Sequence, residues 1–158
     1  MSRRGVVTHI NVSPGGVPKR PVPSARVGVA GVEGDGHDDS RHGGPEAAVS
    51  LFSAEAIARV AAEGHPIGPG TTGENLTVAG LDWSLVVPGV HMRIGKVVLE
   101  VTRYTMPCKT IRASFRHGDV NRIHQRHHPG DSRVYARVIR EGRIAVGDAI
   151  ECTGGSDE

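Results

Sequence analysis

Cys108 is the residue of this 158-residue chain whose neighbours are best suited to chemistry. It lies between Pro107, which restricts the local backbone, and Lys109, whose positive charge favours the thiolate form of a neighbouring cysteine. The thiolate is the form that acts as a nucleophile and binds soft metal ions. We therefore predict a functional role for Cys108, whereas Cys152, inside a strand-like run near the carboxyl terminus, is predicted to pack in the core.

Two polar, glycine-bearing stretches upstream supply candidate partners for this thiol. Arg41-His42-Gly43-Gly44 offers two side-chain donors beside glycines that expose backbone N–H groups, a combination typical of anion binding. Gly73-Glu74-Asn75 opens a strand and offers acceptors and a donor, although ordinary turn residues would look the same. The wider loop 35–44 is rich in His and Asp, so a metal site and a solvated loop both stay open, but its spacing matches no specific zinc or calcium pattern.

Other chemistry-bearing residues are interpreted as structural. His124, His127 and His128 have helical spacing but lack a nearby cysteine or a clear carboxylate partner, so a solvated helix end is favoured over a metal site. The glycines near Gly28 lack both the Lys-Ser/Thr ending of a phosphate loop and a following helix. The sequence therefore favours neither a nucleoside-triphosphate site nor a Rossmann dinucleotide site.

Composition indicates one β-rich domain. The length suffices for a hydrophobic core without disulfide bonds, and 22 glycines with 10 prolines indicate many turns and short elements. A net charge of +2 and an aromatic content of 3% give little support to nucleic-acid binding. No apolar run approaches the roughly 20 residues of a membrane-spanning helix, and no signal peptide is recognisable. We expect a cytoplasmic protein that binds neither nucleic acid nor membranes.

Short strand-like runs separated by glycine turns predict the elements that position Cys108. A helix is expected at 54–63, capped by Ser53, with a second helix at 119–127 and a tight hairpin turn at Glu141-Gly142. The expected strands are 5–12, 26–32, 47–52, 76–78, 90–94, 97–102, 134–139 and 149–152. These elements predict a mainly β fold, a closed or nearly closed β-barrel with one or two short flanking helices. Residues 1–152 are expected to form this single domain and residues 153–158 a disordered tail.

Four motifs, taken in order, resemble the MOSC domain, which is named after the C-terminal domain of molybdenum cofactor sulfurases. They are Arg41-His42-Gly43-Gly44, Gly73-Glu74-Asn75-Leu76-Thr77, the strand 93–103 with Met106-Pro107-Cys108, and Arg143-Ile144-Ala145-Val146-Gly147-Asp148. The resemblance covers about residues 5–152 and is to the small stand-alone bacterial members. It implies a barrel of the MOSC type, a bound molybdenum cofactor (molybdopterin), and Cys108 as the catalytic residue that either ligates molybdenum or carries sulfur.

The resemblance also implies a function, the reduction of N-hydroxylated small molecules with electrons from an external donor protein. On this hypothesis Cys108 is the metal ligand, and the cofactor-binding residues are Arg41, His42, Gly43, Gly44, Gly73, Glu74, Asn75, Arg103 and Lys109. Two alternatives stay open: a sulfur carrier that holds a Cys108 persulfide for metallocofactor assembly, and a non-enzymatic cofactor-binding module. Pyridoxal phosphate binding is a further property that the resemblance implies, and a homodimer is left open.

Overall fold

Eleven short strands and one α-helix make up the regular structure of residues 2–36 and 44–154, which a computed structural model describes. The strands are β1 (Arg4–Val12), β2 (Arg20–Val22), β3 (Ser24–Gly28), β4 (Gly31–Val32), β5 (Val49–Ser53), β6 (Leu76–Ala79), β7 (His91–Ile94), β8 (Val97–Tyr104), β9 (Val134–Arg140), β10 (Gly142–Ala145) and β11 (Ala149–Thr153). The helix is α1 (Ala54–Ala62), and short 3-10 turns lie at Pro45–Ala47, Trp83–Leu85, Lys109–Ser114, Arg116–Gly118 and Val120–Ile123.

Seven of the strands close into a barrel. Their order is β1, β6, β5, β9, β8, β7 and β11, and pairing of β11 with β1 completes the ring. All neighbours are antiparallel except β5 and β6, which are parallel and are connected through α1, as a parallel pair requires a crossover. The predicted mainly β barrel is confirmed, and closure leaves its strands without a free edge around the ring.

A second, three-stranded sheet of β10, β3 and β4 corrects two predictions about local connections. The predicted strand at 26–32 is a hairpin, in which β3 turns back into β4. The predicted hairpin at Glu141-Gly142 is wrong, because β9 pairs with β8 and β5 whereas β10 pairs with β3. The Glu141 carboxylate accepts hydrogen bonds from Val29 N at 2.8 Å and from Arg26 Nη2 at 3.0 Å, which fixes the chain where it passes between the sheets.

The barrel interior contains the larger hydrophobic core, to which alternate residues of its strands contribute. Its fully buried members include Val7, Ile10, Leu51, Leu76, Met92, Ile94, Leu99, Val134 and Ile150. Cys152 lies in this core and is 1% exposed, which confirms its predicted packing role. Burial raises the pKa of its thiol, so it is unreactive compared with an exposed cysteine.

A smaller core joins α1 to the chain that follows Cys108. The predicted cap is present, because Ala56 N donates to Ser53 Oγ at 3.0 Å. The buried face of α1 carries Ile57 and Val60, which belong to one cluster with Ile111, Phe115 and Ile123. The cluster holds the segment after Cys108 against the helix.

The second predicted helix, at 119–127, is only the 3-10 turn Val120–Ile123. The Asp119 side chain makes no capping hydrogen bond, and His124 already has extended backbone angles, so the helix neither starts nor continues as expected. Arg122 anchors the segment instead, since its guanidinium bonds both Glu63 carboxylate oxygens at 2.7 and 2.8 Å and Asp131 Oδ2 at 2.9 Å. In the part of the chain that is described, no helix is long and apolar enough to cross a membrane.

Candidate functional site

A cavity of about 360 Å³ opens beside Cys108, where β8 ends and β9 begins. Its size is that of a small-molecule or cofactor site. It is lined by Gly16, Val17, Lys19, Gly36, Ala47, Ser50, Thr72, Gly73, Asn75, Thr105, Met106, Cys108, Thr110, Ile111, Arg133 and Tyr135.

The Cys108 thiol is an exposed group of the cavity wall. The residue has an extended backbone and immediately precedes the 3-10 turn Lys109–Ser114, whose Ile111 N donates to the Cys108 carbonyl at 3.2 Å. The Thr110 hydroxyl lies 2.8 Å from Sγ. The thiol is therefore fixed in place by its own turn and accessible to a ligand in the cavity.

Arg133 brings a buried positive charge to the same cavity. The residue is 6% exposed, and its Nη1 donates to the Thr72 carbonyl at 2.6 Å. Among the described residues its Nε has no hydrogen-bond partner, and no carboxylate forms an ion pair with it. Burial lowers the pKa of the guanidinium. Because an unpaired buried cation is energetically costly, an anion in the cavity would be strongly favoured.

A second cation of the cavity, Lys19, is by contrast already neutralised. Lys19 Nζ lies 2.8 Å from Asp35 Oδ2, and the two side chains are only 11% and 2% exposed. The same carboxylate oxygen accepts from Asn75 Nδ2 at 2.9 Å, and the other oxygen accepts from Ser13 N at 3.0 Å. This network fixes one wall of the cavity and, among the described residues that line it, leaves Arg133 as the charge that a ligand could balance.

Two of the three residues in the predicted stretch Gly73-Glu74-Asn75 line the cavity, and the third does not. Gly73 and Asn75 line the cavity, and Gly73 has a φ of 86°, a left-handed conformation that favours glycine. Glu74 is fully buried behind the wall and accepts hydrogen bonds from Gly70 N, Thr72 Oγ1 and Thr77 Oγ1 at 2.9 to 3.0 Å. Burial raises the pKa of the Glu74 carboxyl. In the structure Glu74 supports the cavity through Thr72 and does not face it.

The other predicted cofactor-binding residues lie at the margin of the cavity or outside the described chain. Arg103 is exposed, and its guanidinium carbon lies 5.0 Å from the centre of the Tyr135 ring. Lys109 is exposed beside Cys108, and Gly44 precedes the turn that brings Ala47 to the cavity. Arg41, His42 and Gly43 lie outside the described residues.

Sequence reasoning did not identify Arg133, Lys19 or Thr105 as site residues. Thr105, whose hydroxyl also lacks a partner within the described residues, donates its backbone N–H to the Arg133 carbonyl at 2.9 Å. This bond continues the antiparallel pairing of β8 with β9, which places the start of β9 opposite the chain leading to Cys108. The sequence shows Arg133 only as a basic residue before a predicted strand. The pairing of β9 with β8 is what shows that this residue lies at the cavity.

The family model of the MOSC domain matches residues 38–151, most of the chain. The chain belongs to the MOSC domain family. The YflK protein of Bacillus subtilis strain 168 is 34% identical over 145 residues, an alignment that covers 86% of this chain and 62% of YflK. The chain thus spans less than two thirds of the length of this relative.

Solved structures show the same MOSC barrel. The crystal structure of YuaD from Bacillus subtilis has a TM-score of 0.77 and 17% identity, covering 94% of this chain and 95% of YuaD. The crystal structure of YiiM from Escherichia coli has a TM-score of 0.73 and 23% identity, covering 96% of this chain and 70% of YiiM. At these identities the likeness shows the fold alone.

The MOSC cavity has the chemistry to accept the molybdenum cofactor with which this family is associated. The Cys108 thiol is a soft ligand suited to molybdenum, and the unpartnered Arg133 Nε and Thr105 hydroxyl suit a phosphate group. The described residues include no cluster of three or more His, Cys, Asp or Glu that could hold a metal ion unaided. Within that part of the chain, a metal bound at Cys108 would lack a complete set of protein ligands, which an organic cofactor could supply.

Proposed function

We propose that this MOSC domain is a molybdenum-cofactor-dependent oxidoreductase that reduces N-hydroxylated compounds with electrons from an external donor protein. The observation that carries the proposal is the presence, in one cavity, of the exposed Cys108 thiol and the buried, unpaired Arg133 guanidinium. A soft metal ligand and an unsatisfied anion site are the two requirements of a metal-bearing, phosphate-bearing cofactor.

Each group of the cavity has a role in this proposal. The Cys108 thiolate holds the metal, Arg133 and Thr105 bind the cofactor phosphate, and Gly73 allows close approach of the ligand to the backbone. When bound, the cofactor supplies two-electron redox chemistry. The reaction breaks the substrate N–O bond and consumes two electrons and two protons, giving the N–H compound and water. In this proposal the electrons come from an external donor protein.

Metal and pterin analysis of protein purified from a host that makes the cofactor tests this proposal. We expect molybdenum and pterin in the wild-type protein and a loss of molybdenum of about tenfold or more in Cys108→Ser, since even outer-shell changes cost metal sites about that much. Cys152→Ala is the matched control, because it removes the other cysteine from the core without touching the cavity. Metal-free protein that still reduced N-hydroxylated bases would contradict the proposal.

The exposure of Cys108 also favours a second candidate function, sulfur transfer through a Cys108 persulfide. Mass spectrometry of the intact protein after incubation with a cysteine desulfurase distinguishes the two functions. A stable persulfide at Cys108 without bound molybdenum would favour the sulfur carrier. Cofactor bound tightly but without turnover by any donor would favour a non-enzymatic binding module, and pyridoxal phosphate binding stays a prediction.

A further inference from the structure

We propose that the outer surface beside the cavity, here called the basic rim and formed by Arg103, Met106, Lys109 and Arg112, is the docking site for a small acidic electron-transfer protein. This inference rests on the proposed function, because it assigns the surface on which the external electron donor binds.

The basic rim belongs to a stretch of chain without negative charge. Residues 101–118 contain Arg103, Lys109, Arg112 and Arg116 but no Asp or Glu. The complete chain is almost balanced, with 19 Lys and Arg against 17 Asp and Glu. The positive charge is therefore a local surplus, and it is placed on both sides of Cys108.

The cations of the rim are also unpaired. Arg103, Lys109 and Arg112 are exposed, and within the described residues no carboxylate lies within the 4.0 Å of an ion pair to any of them. Two other exposed arginines are compensated, Arg26 by Glu141 at 3.0 Å and Arg137 by Glu100 at 3.1 Å, whereas Arg20, Arg93, Arg126 and Arg140 form no ion pair within the described residues and lie scattered along the chain. Unpaired cations attract and orient an acidic partner, which raises its association rate.

An exposed apolar side chain lies between these cations in the chain, after Arg103 and before Lys109. Met106 is 67% exposed, the largest value among the exposed large apolar side chains of the described chain, and it lines the cavity together with Cys108. Methionine and arginine are enriched in protein interfaces, where an apolar centre is surrounded by a polar rim. A partner seated on Met106 would approach the cavity closely, which a short electron-transfer distance requires.

The position of these charges favours an acidic protein as the partner over a small anion or a single-stranded nucleic acid. Arg103, Lys109 and Arg112 do not line the cavity, so a small anion inside it would meet Arg133 and not the rim. A single-stranded nucleic acid needs exposed rings for stacking, whereas Arg103 covers the Tyr135 ring at 5.0 Å. The rim combines several exposed cations with an exposed apolar residue, a combination that the surface of an acidic protein could match.

Charge reversal at Arg112, with a matched reversal elsewhere, tests the docking site. Arg140→Glu is the control, because Arg140 is exposed, ends β9 and pairs with Val98, whereas the cavity lies at the other end of the strand, next to Arg133. Binding of a plant-type ferredoxin and of a flavodoxin, two acidic probes, is measured by surface plasmon resonance at low and high ionic strength. We expect salt-dependent binding that Arg112→Glu weakens about tenfold and Arg140→Glu leaves nearly unchanged.

Activity with a small dye donor and with the acidic protein donor separates docking from catalysis. We expect Arg112→Glu to lower the rate with the protein donor and to keep the rate with reduced viologen dye. Equal effects of the two charge reversals, salt-independent binding, or no binding of either probe would overturn the docking site. Tighter binding of an oligo-dT strand than of either protein, lost in Arg112→Glu, would overturn it in favour of nucleic acid. An inactive dye assay with intact, Arg112-dependent probe binding would instead contradict the proposed function alone.

Discussion

Arg133 is the residue whose environment demands a ligand most strongly. Its guanidinium is buried with one backbone hydrogen bond to Thr72 and an unpartnered Nε, and burial lowers its pKa. A structural arginine at such a depth would be expected to have a carboxylate partner, since burying an unpaired charge costs several kcal/mol or more. A residue retained at such a cost is typical of a binding site.

Replacing Arg133 by Met should therefore separate binding from stability. We expect Arg133→Met to lose the thermal stabilisation that inorganic phosphate gives the wild-type protein, while its ligand-free unfolding temperature is equal or higher, because an apolar side chain of similar size replaces a buried charge. Differential scanning calorimetry with and without phosphate makes the measurement. Arg133→Lys is the matched control that keeps the charge and should retain part of the phosphate effect. A large drop in ligand-free stability in Arg133→Met would show instead that Arg133 is structural.

At the residue scale, the sequence predicted those cavity residues that have distinctive neighbours in the chain. Cys108 follows a proline and precedes a lysine, and Gly73-Glu74-Asn75 offers acceptors and a donor after a glycine-rich turn. Arg133 and Lys19 have no such signature, because they reach the cavity only through strand pairing, of β9 with β8 and of β2 with β1. Glu74 was predicted to bind the cofactor, but its side chain does not line the cavity. Side chains alternate along an extended chain, so Glu74 faces away from the cavity that Gly73 and Asn75 line.

At the element scale, the segment that carries Cys108 depends on packing against α1 more than on its own hydrogen bonds. Its 3-10 turns are short, and Ile111, Phe115 and Ile123 contribute the apolar contacts with the helix. Short 3-10 turns have poor hydrogen-bond geometry and little stability alone. The position of the thiol is therefore coupled to the smaller hydrophobic core.

Ile123→Ala should disturb both stability and site. Ile123 is fully buried in this core, so we expect a loss of about 2 to 5 kcal/mol in the free energy of unfolding and faster amide exchange at residues 109–123. Urea unfolding and hydrogen exchange measure the two effects. Ile139→Ala is the control, because Ile139 is 52% exposed and its truncation should cost less than about 0.5 kcal/mol. Faster exchange spread evenly over the barrel would contradict a local role for this core.

The helices and strands were in large part predictable from the sequence. The seven barrel strands, with their β-branched, alternating residues, were predicted at nearly the observed positions, and the Ser53 cap fixed the start of α1. The short strands β2 and β10 were not predicted. The hairpin at Glu141-Gly142 was wrong because a glycine between two strand-like runs specifies a bend without specifying the partner strands. The helix at 119–127 was wrong because burial of Ile123 and the Arg122 ion pairs determine that segment, and both are tertiary contacts.

At the scale of the molecule, closure of the barrel buries a titratable carboxyl beside the ring of strands. Glu74 immediately precedes β6 and is fully buried, and its carbonyl accepts from Asn11 Nδ2 of β1 at 3.2 Å. Its carboxylate accepts three donors, yet desolvation is the largest influence and raises its pKa above the ordinary value of 4.5. Folding therefore changes the proton affinity of a group that the unfolded chain exposes to water.

The pH dependence of stability should report this carboxyl. With its pKa raised, Glu74 holds its proton to higher pH in the folded protein than in the unfolded chain, so unfolding releases a proton and stability falls as the pH rises from 4.5 through the folded-state pKa. Glu74→Gln keeps the shape but cannot ionise. We expect the unfolding free energy of Glu74→Gln relative to wild type to increase as the pH rises above 4.5, until the folded-state pKa is passed, as measured by urea unfolding. A relative free energy that decreases with pH would mean that the ionised carboxylate stabilises the fold, with Arg133 as the nearby positive charge.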